Sequence, residues 1–161
     1  MRIRYIPADP AGNLTALTLT QVRPEERAVV AAQMMARCPE GFEQVGFIGE
    51  HAAEAALPRL DMMGGEFCGN AVRAFAYLKA SEQHSGGRHA VKVEISGAAN
   101  PVMANVDLSA GLAFVQMPKP LGVEEVLVKD TMRPVVHMEG IDHVIMEGVD
   151  ADEELAEDAL R

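Results

Sequence analysis

Between Gly64 and Arg73 the chain reads Gly-Gly-Glu-Phe-Cys-Gly-Asn-Ala-Val-Arg, and no other stretch constrains the fold as much. The glycine pair breaks whatever element precedes it. Apolar residues then recur at Val72, Phe75, Ala76 and Leu78, the spacing of one helix face. A helix therefore starts near Cys68 and places that cysteine at its N-terminus. Unpaired backbone N–H groups and the helix dipole favour negative charge there, and so favour the thiolate form of a cysteine. The same N–H groups can hold a carboxylate. A site that holds an amino acid's carboxylate beside a thiolate sets the sulfur near the Cα proton, which suits proton abstraction. Gly64, Gly65 and Gly69 let the backbone approach a ligand closely, and Asn70 adds an amide at the same terminus. A buried cysteine on an ordinary capped helix fits this spacing equally well, so spacing alone leaves both readings open.

Around this segment the pattern is rich in strands. Arg2–Ile6, Leu14–Thr20, Gln44–Ile48 and Leu60–Met63 read as strands, with Pro7–Asn13 as a loop. Pro24 suits a first helical position, Glu25 and Glu26 suit the first turn, and Pro39 stops that helix after about Arg37. After Gly86-Gly87 come strands at Ala90–Ile95, Val102–Leu108 and Leu112–Met117, then Glu124–Val128, Pro134–Met138 and His143–Met146. Ala151–Leu160 reads as an acidic helix. Strands interrupted by a few long helices point to an α+β fold. Pro118–Pro120 marks a boundary, giving domains 1–117 and 118–161. The second holds only about 40 residues, too few to bury a core alone, so it is expected to be the start of a domain whose remainder is absent.

The formal net charge is −10, and no cluster of Lys or Arg offers the basic surface that nucleic acid or an anionic membrane requires. No apolar run approaches the roughly 18 residues of a membrane span, and Met1–Tyr5 lacks a signal-peptide layout, so a cytoplasmic location is expected. The two cysteines, Cys38 and Cys68, read as thiols rather than a disulfide framework. The five histidines have no zinc spacing with them, so no metal site is expected. Met34-Met35 and Met62-Met63 read as core packing.

Cys68-Gly69-Asn70-Ala71-Val72-Arg73 resembles the Cys-Gly-Asn-Gly-x-Arg motif of diaminopimelate epimerase. The resemblance covers nearly the whole chain in order. Gly12-Asn13 is similar to that family's N-terminal Gly-Asn, and Glu43-Gln44-Val45 to its Asp-Gln before a strand. Ser96-Gly97-Ala98-Ala99-Asn100 is similar to its Ser-Thr-Ala-Asn-Gly turn, and Gly140-Ile141-Asp142-His143 to its Gly-Asn-Pro-His. The resemblance implies the diaminopimelate epimerase-like fold, a mixed sheet wrapped around a central helix, as the first of two similar domains. It implies a racemase or epimerase that uses two cysteines, a thiolate that removes the α-proton and a thiol that returns one from the opposite face. It implies no pyridoxal phosphate and no metal.

By that resemblance Cys68 is the first of the two bases. Asn13, Gln44, Gly69 and Asn70 match positions that contact substrate or its carboxylate, and His143 matches a histidine near the second cysteine. Glu43 is a candidate for the substrate amino group, and Asp61 aligns with a substrate-holding asparagine. Ile141 stands where the family has a second asparagine for the far end of diaminopimelate, and an apolar group leaves a zwitterionic head poorly satisfied. Residues 62 to 70 are instead similar to the histidine racemases of opine-metallophore biosynthesis. Cys38 matches no motif position and reads as a helix-end residue, so the chain alone is expected not to racemise anything. Glu66 is a candidate cap for the Cys68 helix, and Arg73 a support for the fold. A phenazine-biosynthesis-like isomerase and a non-catalytic amino-acid-binding module stand as alternatives. An exposed inner face is expected to favour a homodimer.

Overall fold

A computed structural model describes residues 2–49 and 57–148; the acidic helix expected at 151–160 lies outside them. The chain divides into two units, Met1–Met117 and Pro118–Arg161. Among the described residues, two sheets and two helices make the architecture mixed α+β, as the pattern of elements implies.

The first unit is a seven-stranded sheet whose spatial order follows the chain. Its strands are β1 (Tyr5–Ala8), β2 (Thr15–Thr18), β3 (Gln44–Ile48), β4 (Arg59–Met62), β5 (Arg88–Ile95), β6 (Val102–Asp107) and β7 (Leu112–Val115). Two pairs are parallel. Helix α1 (Pro24–Arg37) connects β2 to its parallel neighbour β3, and α2 (Gly69–Gln83) connects β4 to β5. All other pairs are antiparallel. β1 starts three residues later than Arg2 and includes Pro7, which pairs with Ala16. Proline is tolerated there because β1 is an edge strand and its missing N–H leaves no central ladder bond unmade.

Strand alternation sends side chains to two faces. Val45 and Phe47 of β3 join Ala16, Ala31 and Met34 in a core under α1. Gln44 and Gly46 face the other way, in register with Thr15, Leu17 and Met62. On that face Leu60, Val93, Ile95, Val102, Ala104 and Val106 are buried, and α2 lies against β5, β6 and β7 with Ala71, Val72, Phe75, Ala76 and Ala80 turned inward. The two edge strands β1 and β7 both border one cleft of about 550 Å³ beside Arg73, Tyr77 and Leu78 of α2. The sheet thus curls around α2.

The second unit contains β8 (Gly122–Val128), β9 (Thr131–Met138) and β10 (Ile141–Val144) as an antiparallel meander with β9 in the middle. Lys129 and Asp130 close the β8–β9 hairpin, both with positive φ, the backbone of a two-residue turn that matches strand twist. Among the described residues no helix is long and apolar enough to cross a membrane.

Candidate active site

Cys68 occupies the N-cap of α2, with extended backbone at φ −135°. Its sulfur caps the helix by accepting from the Ala71 N–H at 3.4 Å. That is the role expected of Glu66, which lies two residues upstream and cannot reach back as a capping-box acid at the third helical position would. The segment before Cys68 is held from β5 onward. Ser96 Oγ accepts from the Met62 N–H (2.8 Å) and donates to the Glu66 carbonyl (2.9 Å). Phe67 is buried. Gly97 follows with φ +71°, and a Cβ there would stand 2.2 Å from the Phe67 nitrogen. Only glycine meets both conditions, so the Ser96-Gly97 turn fixes where Cys68 begins its helix.

The opposite wall comes from the loop between β1 and β2 and from the start of β3. Asp9 Oδ1 accepts from the Gly12 N–H at 2.6 Å, and Ala11 and Gly12 both take positive φ. A left-handed alanine costs roughly 1 kcal/mol, and here it turns Asn13 toward α2. A continuous hydrogen-bonded cluster results. Cys68 S–H donates to Gln44 Oε1 at 3.1 Å. Gln44 Nε2 donates to Asn13 Oδ1 and to Thr15 Oγ1. Asn70 Nδ2 donates to the same Asn13 oxygen at 3.1 Å, and Asn13 Nδ2 donates to Glu43 Oε2 at 2.7 Å. Arg73 Nη2 donates to Asn70 Oδ1 and to the Pro10 carbonyl, so Arg73 ties the loop to the helix, in keeping with a supporting role.

Asn13, Glu43, Gln44, Cys68, Gly69 and Asn70 therefore meet at one end of α2. Asp61 does not join them. It is in register with Phe47 on the α1 side of the sheet, where Arg27 Nη1 (2.9 Å) and Arg59 Nη2 (2.7 Å) occupy its two oxygens. The physical reason is strand phase: Leu60 and Met62 face α2, so the residue between them cannot. His143 belongs to the second unit, exposed on β10 opposite Val136. In that unit His137 lies between Asp142 (3.1 Å) and Glu124 (3.2 Å). The bond to Asp142 raises the imidazole above its ordinary 6.5. Cys38 is the C-cap of α1, its N–H on the Met34 carbonyl. Met34 and Met62 are buried, and Met35 and Met63 pack on the core, as expected of the methionine pairs.

Sequence reasoning passed over Thr15 as a partner within this cluster, and it named Ser96 only as part of a turn without its hydrogen bonds to Met62 and Glu66. A threonine in a strand reads as β-branched filler, and only the parallel register of β2 and β3 reveals that Thr15 stands beside Gln44.

The arrangement can do particular chemistry. The first turn of α2 carries no acid, so its dipole is left for an external anion. The sulfur adjoins that position, and amides from β3 and the β1–β2 loop ring it. An amino-acid carboxylate on the helix start would present its Cα–H to Cys68.

Residues 2–161 match the family described as histidine racemase CntK N-terminal domain. The chain is 33% identical to a histidine racemase of Fusobacterium nucleatum subsp. nucleatum over 147 residues, covering 88% of this chain and 53% of that protein. A histidine racemase of Staphylococcus aureus strain Mu50 is 32% identical over 118 residues, 73% of this chain and 42% of that protein. The chain spans about half the length of the curated relatives it matches.

Proposed function

Because the chain belongs to the family of histidine racemase CntK N-terminal domains, we propose that it forms the N-terminal part of an amino-acid racemase that acts on histidine. The observation that carries this reading is Cys68: its sulfur caps α2 and joins Gln44, Asn13 and Asn70 in one hydrogen-bonded cluster.

In this reading Cys68 is one of two bases. As thiolate it takes the α-proton from one enantiomer, and as thiol it returns a proton to the planar carbanion formed from the other. A second cysteine, elsewhere in the full-length protein, serves the opposite face. The N-terminus of α2, with Gly69 and Asn70, holds the substrate carboxylate, whose negative charge the dipole stabilises. Asn13 and Gln44 orient substrate, and Glu43 receives its ammonium group. His143 is proposed to stand near the second cysteine, and Asp61 to hold α1 to the sheet through its arginines. The diaminopimelate epimerase-like fold with a second similar domain, independence from cofactor and metal, and a cytoplasmic location belong to the same reading. So does self-association of this chain through exposed apolar residues such as Val123, Leu127 and Met132; a clean monomer by light scattering at high concentration would contradict it.

The test is to incubate the full-length protein in D2O with single amino acids and diaminopimelate, following the α-proton by NMR. Loss of the histidine signal is expected. Exchange of another amino acid alone would correct the substrate, and exchange of none by folded, reduced protein would leave a binding module or an isomerase acting on other chemistry.

A further inference from the structure

We propose that Thr15 is a positioning residue that acts through Gln44 to set the hydrogen-bonding face presented to the Cys68 sulfur; this rests on the reading of Cys68 as a base. Thr15 is fully buried. Its hydroxyl donates to the Asn13 carbonyl at 3.0 Å. That leaves the hydroxyl oxygen only as an acceptor, and it takes a proton from Gln44 Nε2 at 2.7 Å. The other Nε2 proton goes to Asn13 Oδ1. With both amide protons directed to β2 and its preceding loop, Gln44 can show only Oε1 to Cys68, 3.1 Å away.

A carboxamide oxygen accepts and cannot donate. In that bond the sulfur is the donor. A thiolate would face a lone pair. To offer it an N–H, Gln44 would have to turn over and give up both bonds to Thr15 and Asn13. The proton on Cys68 and the orientation of the Gln44 amide are thus linked, and the buried Thr15 hydroxyl is the fixed end of the link. Its direction is not free to reverse, because the Asn13 carbonyl can only accept. The charged members of the cluster, Glu43 on Asn13 and Arg73 on Asn70, are untouched by substitution at Thr15, so their field on the sulfur is common to wild type and variants.

The experiment measures iodoacetamide alkylation of Cys68 in the full-length protein as a function of pH, resolved from other cysteines by peptide mass spectrometry. Thr15→Val keeps the volume and removes the hydroxyl. Freed on one side, Gln44 can turn, and alkylation at a fixed pH below the plateau is expected to rise about fivefold, the equivalent of one hydrogen bond. The whole profile moves to lower pH. Cys38, packed on the α1 face of the sheet and outside the Cys68 cluster, serves as the internal control and keeps its rate. Thr15→Ser loses the methyl but keeps the hydroxyl, and is expected to keep the wild-type profile. An unchanged profile in Thr15→Val overturns the proposal. So does a Thr15→Ser profile shifted to lower pH, even where the valine variant fails to fold, because packing rather than the hydroxyl would then be responsible. Alkylation needs no turnover. A protein that shows this pattern yet exchanges no α-proton would disprove the racemase reading and leave the role of Thr15 intact.

Discussion

Helix α1 enters its first turn with Pro24, Glu25 and Glu26 and no side-chain cap, whereas α2 enters with Gly69 and Asn70, no acid, and the Cys68 sulfur as cap. Both helices link parallel strands of one sheet, and they lie on opposite faces. In α1 the positive end of the dipole is answered by the helix's own carboxylates, and its side of the sheet is closed by Asp61 between two arginines. In α2 that end is answered by nothing charged within the first turn, and amide side chains surround it. One helix start is completed by the chain itself. The other is left incomplete next to a thiol, which is what a site for an amino-acid carboxylate requires.

The largest expected effect lies on the α2 side. In the full-length protein Cys68→Ala lowers kcat for histidine racemisation by at least ~10³-fold and costs only about 1 kcal/mol of stability, the loss of the α2 cap; retained turnover would remove Cys68 from the role of base. Making α2 resemble α1 is the next strongest perturbation. Asn70→Asp puts an acid into the open first turn and removes the amide proton donated to Asn13. Substrate carboxylate and thiolate are both repelled, and kcat/KM should drop by about 10²-fold; an unchanged KM and kcat would mean the substrate carboxylate binds elsewhere.

The α1 side should behave in the opposite way. Asp61→Asn strips a partly buried pair of arginines of their partner, and denaturant titration should report a loss of about 2 kcal/mol, with kinetic constants for histidine close to wild type. A raised KM with intact stability would instead return Asp61 to the substrate. The smallest effect is at the start of α1. Arg23 donates to Glu26 and holds its carboxyl below the ordinary value of 4.5. A depressed folded value gives stability that is present above about the unfolded value and is lost as pH falls through the folded one. Protection of the first-turn amides of α1, relative to their intrinsic exchange rates, should therefore fall only below about pH 4.5, and a fall already between pH 7 and 5 would assign it to another group.

Much of this contrast is visible in the residues before any coordinates. Two glycines, a cysteine and an apolar stripe at helical spacing suffice to place Cys68 at a helix start, and Pro24 with two glutamates suffices for α1. Asn13, Glu43, Gln44 and Asn70 were recognisable by resemblance, and they meet in one cluster. What escaped depends on phase and register. Asp61 sits in a four-residue strand, too short for alternation to declare which side is which. Pro7 reads as loop until its strand is seen to be an edge. Thr15 and Ser96 act through hydroxyls whose partners lie far away in sequence, Gln44 in one case and Met62 with Glu66 in the other, and no local pattern announces such pairs.

The most direct measurement follows deuterium during the first few per cent of turnover of L-histidine by the full-length protein in D2O, and then of D-histidine. Two monoprotic thiols on opposite faces predict deuterium in the newly formed enantiomer and almost none in recovered substrate, with the product signal lost together with racemisation in Cys68→Ala. Deuterium appearing equally in recovered substrate and product would indicate one base serving both faces. The open end of α2 would then not be half of a two-cysteine site.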